Sequence, residues 1–459
     1  MKGLLITGDR SGSGKTSITL GLAALLSRDR TVQPFKVAMD YIDPSYLTGV
    51  TGRPCRNLDS FVMDQEMIHE TFANGCVGAD IAIVEGVRGL YEGAEALDEC
   101  GSTASVAKSL GLPVILVVDV RSITRSAAAI VKGFMALDPD VQIKGVILNQ
   151  VVHEKHRQKA TIAIEHYCNI PVIGAIPRTE EMKLTMRHLG LVPYLEGRTS
   201  AEFQTRLDKI IEIIEQNVDV DQLLAIADDR PAPQQIPERF RPAKHCDVTI
   251  GIARDEAFNF YYNDLFDILK THGAEPIFFS PIHDTLPEAD GYILGGGYPE
   301  LFCSELEAND RMRTAMREVS AQGVPIYAEC GGLLYLTDRI VLKEGWQDLS
   351  SDTPYEMCGA FSGETHMPVG RVIGYVIGEA NANSVLGAGS FMGHEFHHTD
   401  VRLAPDTKFA YCLSRGKGIS GGLDGAIVEN TQGSYTHLHP VPAADRFGHF
   451  VELCRKQSL

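Results

Sequence analysis

The chain has 459 residues, enough for two or three domains that each bury a core. Apolar residues make up 44% and charged residues 22%, the balance of a globular protein, and no apolar run approaches the ~18 residues of a membrane-spanning helix. A formal net charge of −18 argues against general binding to nucleic acid or to an anionic membrane, while leaving room for a local basic pocket that takes an acidic small molecule. Ten cysteines are scattered with no C-x-x-C pair, so neither a zinc ribbon nor a thioredoxin-like site is signalled. With no signal peptide, reduced thiols in a cytoplasm are expected.

The first motif is GLLITGDRSGSGKTS at 3–17. Leu4, Leu5 and Ile6 read as a buried strand, and Ile18, Leu20, Leu22, Leu25 and Leu26 as the helix that follows. The turn between them is the context of a phosphate-binding loop. Gly8, Ser11, Gly12 and Gly14 let backbone N–H groups approach phosphate oxygens. Lys15 reaches the β- and γ-phosphates of ATP, and the Thr16 hydroxyl ligates Mg²⁺. Five residues separate Gly8 from Gly14, where the common loop has four.

Apolar runs recur at 35–39, 81–84, 113–118, 146–148 and 172–176, separated by helix-like segments. That alternation predicts a doubly wound parallel sheet, with ligands collecting at the carboxyl ends of its strands. Asp40, Glu85, Asp119 and Asn149 stand at those ends. Asp40 and Glu85 are candidates to join Thr16 around Mg²⁺, a hard cation that prefers oxygen. Asp43-Pro44 alone could be a turn starter. The loop EGVRGLYEG at 85–93 has three glycines in nine residues, which suits close approach of a ligand. A helical pattern over 198–226 is followed by four prolines between 231 and 242. The expected division is therefore a first domain at 1–228, a linker at 229–245 and a second domain at 246–459.

The second half opens with a strand at 248–253, a helical segment at 258–269 and strands at 276–279 and 291–294. A run at 324–329 leads into Cys330-Gly331-Gly332. A cysteine between strand and helix, followed by glycines, is an elbow that exposes sulfur at a helix N-terminus, where a thiolate is favoured. Backbone N–H groups of the Gly295–Gly297 loop, with Gly296 and Gly297 foremost, and of Gly331 could form an oxyanion hole. A cysteine nucleophile needs a base, and alternation in SYTHLH at 434–439 suggests a strand with His437 and His439 on one face. HEFHH at 394–398 matches a zinc-protease pattern, but Gly393 before it and Thr399 and Val401 after it favour a strand, where that chemistry fails.

Taken together, the long phosphate loop, DYIDP (40–44), TGRPCRNLD (51–59), EGVRGLYEG, RHLGLVP (187–193), GGGYPE (295–300), AECGG (328–332), GHEFH (393–397) and SYTHLH resemble the a,c-diamide synthases of tetrapyrrole biosynthesis nearly end to end. The resemblance implies a P-loop synthetase domain similar to dethiobiotin synthetase, then a class I glutamine amidotransferase domain of flavodoxin-like form. It implies that Cys330, activated by His437, releases ammonia from glutamine. Mg-ATP would phosphorylate an acetate carboxylate of the tetrapyrrole, and ammonia would displace phosphate. Asp43 and Glu92 would position or protonate reacting groups, Asp40, Tyr41, Ile42, Arg88 and Tyr91 would face the substrate, and Asn149 would read adenine. Many class I relatives carry Glu two residues after the histidine, where this chain has His439. Ala38-Met39 before Asp40, Arg88 and Glu92 depart from the cobyrinate enzymes and point toward nickel-sirohydrochlorin, neutral drift being the other reading. A homodimer is compatible with the sequence. The competing function is a partition-type ATPase switch with a non-catalytic second module, against which stands Arg10 in the place of that family's signature lysine.

Overall fold

The computed structural model describes residues 1–182 and 204–457 with their side chains, and backbone alone at 186–187, 190–191 and 201–203, so the side chains of the 187–193 motif lie outside the described residues. Two compact units emerge, Met1–Pro237 and Glu238–Leu459. No helix among the described residues is long and apolar enough to cross a membrane.

In the first unit, strands β1 (Lys2–Gly8), β2 (Val32–Val37), β3 (Arg56–Leu58), β4 (Ile81–Glu85), β5 (Val114–Asp119), β6 (Ile143–Val151) and β7 (Val172–Pro177) lie in the order β3-β2-β4-β1-β5-β6-β7. All neighbouring pairs run parallel. Helices α1 (Lys15–Leu26), α2 (Ile42–Thr51), α3 (Gln65–Cys76), α4 (Thr103–Leu110), α5 (Arg125–Leu137) and α6 (Glu154–Cys168) make the crossovers. The strand order turns back beside β1, and a ligand crevice is expected at such a switch point. β4 and β5 are buried along their whole length, as a sheet covered on both faces requires. One core gathers Leu4, Ile6, Ile83, Ile115 and Ile147 with Ile18 and Leu22 of α1 and Ile210 and Ile214 of the helix Ala201–Asn217.

The expected linker is divided between the units. Asp228–Asp229 pairs antiparallel with the start of β1, and the Arg230 guanidinium donates to the carbonyls of Leu110 and Gly111, so the first unit continues past residue 228. Phe240 is buried and the Ala243 amide donates to the Lys270 carbonyl, which ties 238–245 to the second unit. Prolines here shape chain that is bonded at both ends.

The second unit holds a nine-stranded sheet. Ala274–Phe279, Val248–Ala253, Gly291–Leu294, Ile326–Glu329 and Thr431–Ser434 run parallel, and Leu423–Val428, Lys408–Arg415, Val372–Ala380 and Gly389–His397 continue antiparallel. The expected helix at 258–269 splits. Phe258–Phe260 is a strand paired with Gly296–Gly297, and the helix begins at Asp264. Phe258 and Phe260 bury their rings, which overrides the helical spacing.

Gly21 of α1 is where the helix Ala201–Asn217 approaches: a Cβ there would stand 2.6 Å from Ile214. Gly21→Leu is expected to destabilise the protein by about 1–3 kcal/mol, read by circular dichroism as a lower urea midpoint; an unchanged midpoint would show that the two helices part freely.

Candidate active site

In the first unit the phosphate loop follows β1. Gly14 takes φ 93°, and a Cβ there would collide with the Asn149 amide. Asn149 donates to the Ser13 carbonyl at 2.7 Å and accepts from the Gln150 amide at 2.8 Å, so it braces the loop. Asn149 also lines the groove beside the loop. That groove, of about 590 Å³, runs past Gly12, Gly14, Lys15, Thr16 and Ile42 to Gln150, Arg178 and Thr179, whose part the sequence did not signal. Ser11 is exposed at the loop tip, and Gly8 lies under the Ser13 hydroxyl. Arg10 turns to Asp9 at 3.2 Å and Asp119 at 3.4 Å.

At the groove floor sits a buried cation. Lys36, on β2, is 1% exposed, with its ammonium 2.6 Å from Asp43, 2.9 Å from Glu85 and 3.2 Å from the Gly86 carbonyl. Thr16 Oγ1 lies 2.7 Å from Glu85 and 3.3 Å from Asp43. Burial pulls the Lys36 pKa down, but Asp43, Glu85 and Asp40 more than reverse this and hold it above the ordinary lysine range. Burial would raise Asp43; Lys36 and Lys15 bring it below the usual carboxylate value. Glu85 stays raised by burial, against the pull of Lys36. Burial, together with Lys36, lowers Lys15.

Asp40 stands at the edge of this knot, 4.0 Å from Lys36, and its Oδ1 accepts the Ile42 and Asp43 amides at the start of α2. Asp43, not Asp40, is therefore the carboxylate beside Thr16. Tyr41 precedes α2 and is half-buried. In the loop after β4, Tyr91 donates to the Phe134 carbonyl at 2.6 Å, so its hydroxyl is committed to the protein. Arg88 is exposed at φ 51°. Glu92 is exposed and folds over Gly89; among the described residues no hydrogen bond or ion pair ties it to the Lys36 knot.

In the second unit Cys330 ends the strand Ile326–Glu329 at φ 44°, ψ −101°, a conformation L-residues hold only under constraint. Its amide donates to the Ser434 carbonyl at 2.7 Å, and its Sγ faces the Phe396 carbonyl at 3.6 Å. The helix after it, Gly331–Leu336, is under two turns, and His437 is hydrogen-bonded to Cys330. Burial pulls the His437 pKa down, but bonds to Cys330 and Glu329 carry it up to about 10. The glycine loop lies beside both. A Cβ on Gly296 would stand 2.7 Å from the His437 ring, and one on Gly331 would stand 3.0 Å from the Gly297 nitrogen. The glycine loop thus packs against His437 and against the residue that follows Cys330.

His437 is clamped by backbone. His394 and His437 exchange N–H···O bonds of 3.0 and 2.7 Å, and buried Asp424 accepts the Tyr435 and Thr436 amides and the Thr436 hydroxyl. The regular strand ends at Ser434, and beyond it the backbone pairs through the His394–His437 bridge. His439 does not share the role of His437: its Nδ1 accepts the Val441 amide at 3.3 Å and its ring lies 4.6 Å from Tyr262. His394–His397 of the HEFHH run lie on the strand Gly389–His397, as expected, with Glu395 accepting the Lys417 and Gly418 amides.

Two functional residues escaped the sequence reading. Lys36 lay inside an apolar run that read as a strand, and its charge was the signal. Glu329 lay next to the cysteine that drew attention; its Oε2 is 3.2 Å from His437 Nδ1. Lys36→Met leaves Asp43 and Glu85 buried without their cation, and is expected to cost about 3–5 kcal/mol and to abolish ATP turnover. A variant with wild-type melting and ATP turnover would show the knot to be dispensable.

Comparison with known proteins agrees with both halves. Residues 4–192 match the CobQ/CobB/MinD/ParA nucleotide binding domain, and residues 249–444 match the CobB/CobQ-like glutamine amidotransferase domain. Proteins named cobyrinate a,c-diamide synthase are 52% identical in Methanosarcina acetivorans (99% of this chain, 95% of the relative), 51% in Methanosarcina barkeri (98% and 96%) and 43% in Methanothermobacter thermautotrophicus (95% and 96%). Matched over almost its whole length, with a phosphate loop in one unit and a cysteine–histidine pair in the other, the chain belongs to the cobyrinate a,c-diamide synthase family.

Proposed function

We propose that this enzyme is an ATP-dependent carbon–nitrogen ligase that takes ammonia from glutamine and converts the a- and c-acetate carboxylates of a tetrapyrrole to amides. The observation that carries it is Cys330, held at positive φ and hydrogen-bonded to His437, in one chain with a phosphate loop and its carboxylate–lysine knot. His437 takes the thiol proton and Sγ attacks the glutamine carboxamide carbon. The Gly297 and Gly331 amides face the developing oxyanion. Return of the proton to nitrogen releases ammonia, and water hydrolyses the thioester to glutamate.

A carboxylate resists amines until one oxygen becomes a leaving group. In the first unit the acetate oxygen attacks the γ-phosphorus, ADP departs, and ammonia then displaces phosphate from the acyl phosphate. Lys15 and Lys36 offset the charge that builds on the transferring group. The residues fit Mg²⁺: Thr16, Asp43 and Glu85 offer hard oxygen donors, and Glu85 Oε2 is buried without a hydrogen-bond partner. Bound there with the nucleotide, Mg²⁺ supplies charge neutralisation on the phosphates.

The macrocycle favoured is nickel-sirohydrochlorin. Its support is the departures noted in the sequence, with Arg88 exposed at the lip of the loop after β4 as a cation for a polycarboxylate. The names of the relatives support cobyrinate as the second reading. Against the ATPase-switch alternative, Arg10 is paired to Asp9 and Asp119.

ATP hydrolysis with glutamine and Mg²⁺, measured with each macrocycle while product mass is followed, is expected to show two amides gained on nickel-sirohydrochlorin. Cys330→Ala should lose glutamine-dependent turnover and keep turnover with ammonium. Amidation of cobyrinate alone would sink the nickel reading, and glutamine-independent hydrolysis with no mass change would return the ATPase switch.

A further inference from the structure

The glutamine site lacks the acid that many class I relatives carry two residues after the histidine, because that position is His439, turned to Tyr262 and the Val441 amide. A different carboxylate fills the space. Glu329 is the last residue of the strand that delivers Cys330, so the nucleophile and this acid are adjacent in sequence. Its side chain returns toward His437. Oε2 is 3.2 Å from His437 Nδ1, and Oε1 accepts the Tyr327 hydroxyl at 2.7 Å and the Leu438 amide at 3.0 Å. Three donors thus fix the carboxylate in one orientation, and one of them comes from the residue after the histidine.

We infer that Glu329 is the positioning residue of the glutaminase centre, holding His437 with its proton on Nδ1 and Nε2 toward Cys330 and stabilising the imidazolium formed when the thiol proton moves. This rests on the glutaminase reading of Cys330. The proton accounting is closed: Nε2 takes the proton from Sγ, the Nδ1–H stays on its nitrogen donating to Glu329, and the Nε2 proton passes to the departing amide nitrogen to give ammonia. Glu329 gains no proton at any step.

Glu300, one residue past the Pro299 that packs on Gly331, is pushed up by burial to about 7 and so changes charge between pH 5 and 9. Burial pushes the hydroxyls of Tyr327, Tyr261 and Tyr435 above their ordinary value, and burial holds His397 down to about 4. That background is common to every variant, so the difference between Glu329→Gln and wild type, not the profile alone, reports on Glu329.

Glu329→Gln, of equal size, is the test, made in the full chain. Glutamine-dependent kcat is expected to fall at least about 100-fold, with KM for glutamine little changed and ammonium-dependent turnover retained. Alkylation of Cys330 by iodoacetamide should slow about tenfold or more at pH 6, and the gap from wild type should narrow as pH rises and hydroxide can take the thiol proton. Glu329→Asp, which keeps the charge, should recover part of kcat and the wild-type alkylation profile. Retained kcat with an unchanged alkylation profile in Glu329→Gln overturns the inference. So does a kcat loss in both variants with no change in either profile, since that is the mark of a packing role. If wild type neither hydrolyses glutamine nor labels selectively at Cys330, the glutaminase reading itself falls.

Discussion

The first unit depends on one buried ammonium. Without Lys36, the Asp43 and Glu85 carboxylates would face each other in a place shielded from water, where uncompensated charge is expensive. With it, acids, Thr16 and Lys15 are held at the ends of parallel strands, the one edge of such a sheet where a ligand can enter. The same charges that line the groove are suited to the chemistry. Thr16, Asp43 and Glu85 are hard oxygen donors of the kind that would hold Mg²⁺ with a nucleotide, and Lys36 beside them would offset phosphate charge.

The second unit solves a different problem, holding a sulfur and an imidazole in register. Cys330 keeps a backbone conformation that costs energy, and the surrounding bonds over-determine it: Ser434 takes its amide and the glycine loop packs against Gly331. His437 is fixed through its backbone by His394 and through the preceding residues by Asp424. Asp424 is buried and raised by that burial, yet three donors converge on it, so the polar group is satisfied and rigid.

Much of this was legible in the sequence. Strand ends announced themselves because apolar runs stop at a carboxylate, and the glycine spacing of the phosphate loop and the elbow needs backbone that other residues cannot supply. What escaped was set by tertiary partners. Phe258 and Phe260 sit in a helical pattern, yet they pair with a glycine strand far along the chain. The prolines at 231–242 look like a linker, though chain on either side is bonded into a unit. Asn149 stands at a strand end and lines the groove, and only the fold shows that it also braces Ser13. The partner of His437 could not be read from spacing, because the usual position holds His439 and the acid comes from a strand 108 residues earlier.

The central claim is that ATP activates a carboxylate by phosphorylating it in the Lys36 groove. The most direct measurement uses a macrocycle whose acetate carboxylates carry ¹⁸O, with ATP, Mg²⁺ and glutamine, following the label by mass. The account predicts one ¹⁸O in inorganic phosphate for each amide formed and none in the nucleotide. Unlabelled phosphate, or label appearing in AMP, would contradict it.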